Sequence, residues 1–300
     1  MPCRLKWKFT IITEISRKDK RMTDAPIGLI TSAASEKLLT GRTLQRVPTP
    51  WGDADVLTGR IGGKEAAVVL RYGADLTCPS HKINYQANIW ALKVLGVEVI
   101  ISQNAIGSVN TAIRPGDIVI SDDFLDKTKS RVQSLFDESE CWVRVDFTDP
   151  FCPQLRAELI ASATKFSDRV IERGTFVCTE GPRFETPAEI RAYRADGGDI
   201  VGTPLIPEVI FAREAEMCFA SIAPVINFGA GMAPAVLHFG PGSMNETYYR
   251  EGLHDLIESA LIDAFTTLSP VRGCRCHNAL DGGFHGAPPA WLGRTVQGAE

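Results

Sequence analysis

The chain has 300 residues, 44% of them apolar, and a formal charge of −4. That length and apolar content support one sizeable α/β domain and exclude wholesale disorder. A mildly acidic chain without a basic stripe is not built to bind nucleic acid, and no run approaches the roughly 20 apolar residues that span a bilayer.

The first 25 residues are basic at both ends of a short apolar stretch, Phe9 to Ile12, too short for a signal-peptide core. They read as a disordered N-terminal tail, with Met22 as an alternative start. Strand-like runs follow at 27–30, 66–70, 97–102, 117–120, 174–179, 199–202 and 218–226. Several are continuous β-branched stretches with no polar alternate face, the pattern of strands buried on both sides. Between them lie helical stretches. Residues 82–95 place Ile83, Ala87, Trp90, Ala91, Val94 and Leu95 at helical spacing, and Gly96 is set to stop the helix. Further helices are predicted at 152–163, 187–193, 207–216 and 245–268. Beyond Pro270 glycine, proline and basic residues replace periodicity. The organisation is a tail over 1–25, one α/β domain over 26–270 and a C-terminal tail over 271–300.

Eight cysteines are scattered without the spacing of a disulfide framework, which makes the cytoplasm the default compartment. The tail carries Cys274-Arg275-Cys276-His277, with His285 beyond. A zinc site needs four ligands at better spacing, so this stretch reads as exposed tail.

Four polar motifs each follow a predicted strand, where α/β folds bind ligands. Asn104-Ala105-Ile106-Gly107-Ser108 is a small-residue turn that exposes backbone N–H groups. Glu180-Gly181-Pro182-Arg183-Phe184-Glu185-Thr186 offers an aromatic face beside a carboxylate, a pairing that suits a heteroaromatic ligand. Asn227 ends an apolar strand before Phe228-Gly229-Ala230-Gly231. Arg71, in Leu70-Arg71-Tyr72-Gly73, puts a cation at a strand end, where it serves as an anion clamp or as a surface charge. Taken singly, each fits an ordinary turn, cap or surface charge equally well.

Together these segments resemble the purine nucleoside phosphorylase and methylthioadenosine phosphorylase family from about Ile27 to Leu268. The most specific stretches are His81 through Lys93, Arg114-Pro115-Gly116-Asp117-Ile118-Val119, Phe124 through Thr128 and Glu180 through Glu189. The resemblance implies a mixed open-barrel central sheet flanked by helices, a homotrimer, and cleavage of a purine nucleoside by inorganic phosphate to free base and ribose 1-phosphate. It implies no metal and no organic cofactor.

Carried over by position, Asn227 contacts purine N7 and the 6-substituent as the catalytic residue, and Glu185 receives N1–H, with Phe184 and Ala105 completing the base site. An amide at 227 in place of the aspartate of 6-aminopurine enzymes favours 6-oxopurines. Phosphate falls to Arg71, Tyr72, Asn104 and Ala33, and ribose to Thr203. Here the sequence departs from the family. The Gly-Gly-Ser/Thr-Gly turn is Thr31-Ser32-Ala33-Ala34, the Arg-His pair is Arg71-Tyr72, and a later hydroxyl run is Gly202-Thr203-Pro204-Leu205. Only Arg71 clearly survives among the phosphate ligands. A non-phosphorolytic relative, hydrolytic or biosynthetic, and a non-catalytic nucleoside binder therefore stay open.

Overall fold

The computed structural model describes residues 26–233, 248–249, 252–269 and 271–292. The tail expected over 1–25 lies outside them, as does the stretch 238–245. In chain order the strands are β1 (Ile27–Thr31), β2 (Thr40–Thr49), β3 (Gly52–Ile61), β4 (Lys64–Leu70), β5 (Val99–Gln103), β6 (Ile106–Ser108), β7 (Ile118–Ile120), β8 (Asp123–Lys127), β9 (Trp142–Val143), β10 (Val170–Ile171), β11 (Thr175–Thr179), β12 (Ile200–Gly202), β13 (Cys218–Phe228) and β14 (Phe284–His285). The helices are α1 (Tyr85–Val94), α2 (Pro153–Ala163), α3 (Pro187–Ala195), α4 (Leu205–Glu214) and α5 (Leu253–Thr267). None of the described helices is long and apolar enough to cross a membrane.

The sheet is mixed, in the order β2-β3-β4-β1-β5-β13-β6-β12-β11-β8, with β7 and β10 branching from β13. Its centre is made of the continuous apolar runs. In β5, Ile100 packs with the cluster under α1 and α4, while Val99 and Ile101 point to the opposite cluster under α2 and α5. Alternate side chains thus reach two apolar layers, which is why these strands carry no polar face. The mixed α/β architecture inferred from the sequence is the one observed.

Two boundaries differ from expectation. The hairpin β2–β3 pairs Thr49 with Gly52 across a two-residue turn, yet most of β2 is exposed. A strand with so little apolar alternation leaves no period-2 signal. Gly252, in the left-handed region (φ 76°), interrupts the helix expected over 245–268, and α5 runs from Leu253 to Thr267. The start of α1 at Tyr85 has a local cause: the Asn84 side chain accepts the Ala87 N–H at 3.1 Å and caps the helix.

The expected C-terminal tail is corrected over 271–292. β14 pairs with β9, and the Trp291 ring lies 4.7 Å from Trp90, 5.3 Å from Trp51 and 5.3 Å from Phe136. An indole among three aromatic rings supplies the apolar burial that the glycine- and proline-rich composition hides.

Candidate active site

Strand ends, a bulge and two close glycine contacts build one end of the site. Between β13 and β6 the register jumps from Val225↔Ile106 to Asn227↔Gly107, leaving Ile226 as an extra residue. Such a bulge re-aims the side chain that follows it, here Asn227. Asn227 is half-buried, and its Nδ2 donates to the Phe228 carbonyl at 2.8 Å. That bond leaves one Nδ2 hydrogen, and Oδ1 has no partner among the described residues. The chain then turns through Gly229 and Gly231 against α3. A Cβ on Gly231 (φ 78°) would lie 2.7 Å from Pro187 Cβ, and one on Gly229 would lie 2.9 Å from Ile190 Cδ1. Only glycine admits that approach, which brings the segment after Asn227 onto the first turn of the helix after Glu185.

Glu185 is held from β11. The Thr179 hydroxyl donates to Glu185 Oε1 at 2.7 Å, so one carboxylate oxygen is pinned and Oε2 has no partner among the described residues. Thr186 caps α3 in a capping box with Glu189, and Arg183 grips Glu189 at 2.7 Å, fixing the loop on both sides of Glu185. Hydrogen bonding by Arg183 and by the Thr186 N–H holds the Glu189 carboxyl down at about 2. Phe184, in the same loop, is 42% exposed. Ala105 is half-buried in the short link between β5 and β6.

The residues assigned to phosphate do not share one surface. Arg71 is only 3% exposed. Its Nε and Nη2 reach both oxygens of Glu208 at 2.8 and 3.0 Å, Nη2 also donates to Ser102 Oγ at 2.8 Å, and Nη1 donates to the Gln103 carbonyl at 2.9 Å. Burial works against the Arg71 charge, but the Glu208 carboxylate outweighs it and holds the guanidinium ionised beyond its ordinary range. Four of five N–H hydrogens are thereby used inside the protein. Asn104 is 1% exposed, and its amide donates to Ser102 Oγ at 3.2 Å and Ser221 Oγ at 3.1 Å, bracing β5 against β13. Ala33 is exposed in the turn after β1, its carbonyl oxygen 2.9 Å from Thr31 Oγ1. Tyr72 and Thr203 do meet, with hydroxyls 3.5 Å apart and both side chains half-buried.

A family model described as the phosphorylase superfamily matches residues 29–250. The chain belongs to that superfamily. A 6-oxopurine nucleoside phosphorylase from Pyrococcus furiosus is 43% identical to it over 244 residues, covering 79% of this chain and 91% of that protein. An S-methyl-5'-thioadenosine phosphorylase from Thermofilum pendens is 40% identical over 265 residues, covering 87% and 98%. Among solved structures, a methylthioadenosine phosphorylase sourced from an antarctic soil metagenomic library matches with a TM-score of 0.79 at 29% identity, over 90% of this chain and 95% of that one. The family resemblance read from the motifs therefore holds.

This member of the phosphorylase superfamily has polar residues around the site that the motifs did not single out. Arg131, with a side chain 3% exposed, donates to the carbonyls of Thr179 at 3.0 Å, Glu180 at 2.8 Å, Thr203 and Ile206. It ties the carboxyl ends of β11 and β12 together beneath the loop that carries Phe184 and Glu185. On the other side, Thr31 donates to Gln103 Oε1, and Gln103 Nε2 donates to the Tyr248 hydroxyl. Ser35 donates to Glu258 on α5 at 2.8 Å. An isolated Arg in a loop, or a Gln ending a strand, carries no sequence signal of such a role. Only spatial convergence reveals it.

Proposed function

We propose that the chain is a pentosyltransferase that cleaves the N-glycosidic bond of a 6-oxopurine nucleoside by phosphorolysis. Inorganic phosphate is the co-substrate, and free base and ribose 1-phosphate are the products. The observation that carries the base preference is the orientation of two polar groups, each fixed by an internal hydrogen bond. With one Nδ2 hydrogen given to Phe228, Asn227 keeps Oδ1 to accept N7–H and its second hydrogen to donate to a 6-oxo group. With Oε1 held by Thr179, Glu185 keeps Oε2 to accept N1–H.

The chemistry asks for this pairing. As the bond to the sugar stretches, the anomeric carbon becomes oxocarbenium-like and electron density flows into the purine ring. An oxygen acceptor at N7–H stabilises the protonated leaving base, and preoriented groups cost no reorganisation at that moment. A 6-aminopurine presents an amino group to the Asn227 donor and a bare N1 to the Glu185 carboxylate. Each mismatch leaves a polar group unpaired, at about 1–3 kcal/mol.

A second reading, hydrolysis by water, is favoured by one observation: Arg71 is neutralised by Glu208 and the Asn104 amide is used internally. Base release from inosine, guanosine and methylthioinosine, measured with and without phosphate, tests both. Release that requires phosphate and yields ribose 1-phosphate supports phosphorolysis. Equal release without phosphate, yielding free ribose, overturns it in favour of hydrolysis. Binding without turnover leaves a nucleoside-binding protein.

A further inference from the structure

Four cysteines from three separate segments meet at the start of β13, the opposite end of that strand from Asn227. Cys152 is the N-cap of α2, Cys218 opens β13, and Cys274 and Cys276 come from the C-terminal segment. Their four sulfurs all lie within 4.8 Å of one another, and three of the four residues are buried. None is in a disulfide, and the Cys218 and Cys274 sulfurs are 3.3 Å apart, well beyond an S–S bond of about 2.05 Å.

We propose that these four thiolates bind one zinc ion in a closed tetrahedral site. A tetrahedron with Zn–S bonds of about 2.3 Å has sulfur–sulfur edges of about 3.8 Å, inside the spread observed here. Two disulfides would need sulfurs that approach in pairs; convergence of all four on one centre is what a metal requires. All-sulfur tetrahedral coordination leaves no open position for water or substrate, so the site is structural.

Charge supports the same reading. Zinc with four thiolates carries a net charge of −2, which is costly to bury without a cation nearby. Arg272 lines the same crevice as Cys152 and Cys218, and its Nε is buried with no hydrogen-bond partner. An orphaned guanidinium N–H beside the sulfurs is matched by a thiolate acceptor. Binding is acid–base in character, not redox. Zn²⁺ displaces the thiol protons to solvent, four S–H bonds give four Zn–S bonds, and no oxidant is needed.

The position explains the use. Cys274 and Cys276 stand at the start of the segment that carries β14 and Trp291, so the metal clasps that segment to α2 and β13. Gln154 reinforces the clasp, donating to the Val271 carbonyl at 2.8 Å and accepting from the Gly273 N–H at 2.7 Å. Cys218 and Asn227 lie at opposite ends of β13, about 30 Å apart along an extended strand, so the ion has no part in the reaction.

The test uses the full chain, purified without chelator from cells grown with zinc. We expect one zinc per chain by elemental analysis, released when a mercurial blocks the thiols. Refolding the metal-free chain with cobalt should give the thiolate-to-cobalt charge-transfer bands of a tetrahedral site. The Cys274→Ser/Cys276→Ser variant should lose at least nine-tenths of its zinc and unfold at lower temperature, while Cys78→Ser keeps full zinc. Should the double variant fail to fold, the cobalt spectrum of the unmodified chain still decides. A metal-free chain whose intact mass shows paired loss of thiol hydrogens would mean disulfides and overturn the proposal. So would iron in place of zinc, or full zinc in the double variant.

Discussion

Replacing Asn227 by Asp tests the base assignment most directly. In the structure Asn227 Nδ2 lies 2.8 Å from the Phe228 carbonyl oxygen. A carboxylate in the same rotamer would set two oxygens against each other at that distance. Gly107 leaves room on the other side, since a Cβ there would stand only 3.0 Å from Nδ2. The carboxylate therefore turns, and both of its oxygens become acceptors. It gains a partner in a 6-amino group and loses the donor that meets a 6-oxo group.

At about 1–3 kcal/mol for one matched against one unpaired polar group, the ratio of kcat/KM for inosine to that for adenosine should fall about 5- to 150-fold. Absolute activity on inosine should fall as well, because the rotamer held by Phe228 is lost. The assay is steady-state turnover of both nucleosides at saturating phosphate. Asn227→Ala is the control: it removes both hydrogen-bonding functions, so it should depress both substrates and leave the ratio nearer to its starting value. An Asp variant that remains active with an inosine-to-adenosine ratio within twofold of the original would show that Asn227 does not read the 6-substituent, whatever happens to the individual rates.

Other outcomes follow from the buried groups. Arg71→Ala leaves Glu208 as an unpaired buried carboxylate and should cost about 3–5 kcal/mol of folding stability; an unchanged Tm with only a raised phosphate KM would show that Arg71 serves the anion rather than the fold. Burial raises the Glu214 carboxyl to about 7, against the hydrogen bonds from Leu135 N–H and Ser134 that lower it. The folded chain then keeps a proton that the unfolded chain releases from about pH 4.5, so stability should fall between pH 4.5 and 7, on the order of 3 kcal/mol from this group, and level off above. Glu214→Gln should flatten that slope in urea unfolding at pH 5 and pH 8; an identical slope in the variant would place the titration elsewhere.

How far the sequence revealed these features depended on range. The buried strands were legible because β1, β5 and β13 are apolar on both faces, a property of the strand itself. Glu185 and Asn227, the residues proposed to hold the base, could be picked out because each sits in a short run of small or aromatic residues after a strand. The hairpin strand β2 was not, since its exposed residues carry no alternation. Arg71 looked like an anion clamp because its partner, Glu208, is 137 residues away. The cysteine quartet was missed for the same reason: spacing within 274–276 shows two cysteines, and the other two come from the start of α2 and of β13.

The same long-range pairing sharpens the question of how phosphate is held. A phosphate dianion that leaves water must replace several charge-assisted hydrogen bonds. Arg71, already matched to Glu208, brings one spare N–H and no net charge. If phosphate binds by this strand end, neutral donors such as the Tyr72 and Thr203 hydroxyls, 3.5 Å apart, would carry more of the load. Neutral hydrogen bonds are roughly half as strong as charged ones, so a phosphate site built on these two hydroxyls predicts weak phosphate affinity. Tyr72→Phe should therefore raise the phosphate KM more than it changes the nucleoside KM. A Tyr72→Phe chain with an unaltered phosphate KM would put the anion outside this cleft.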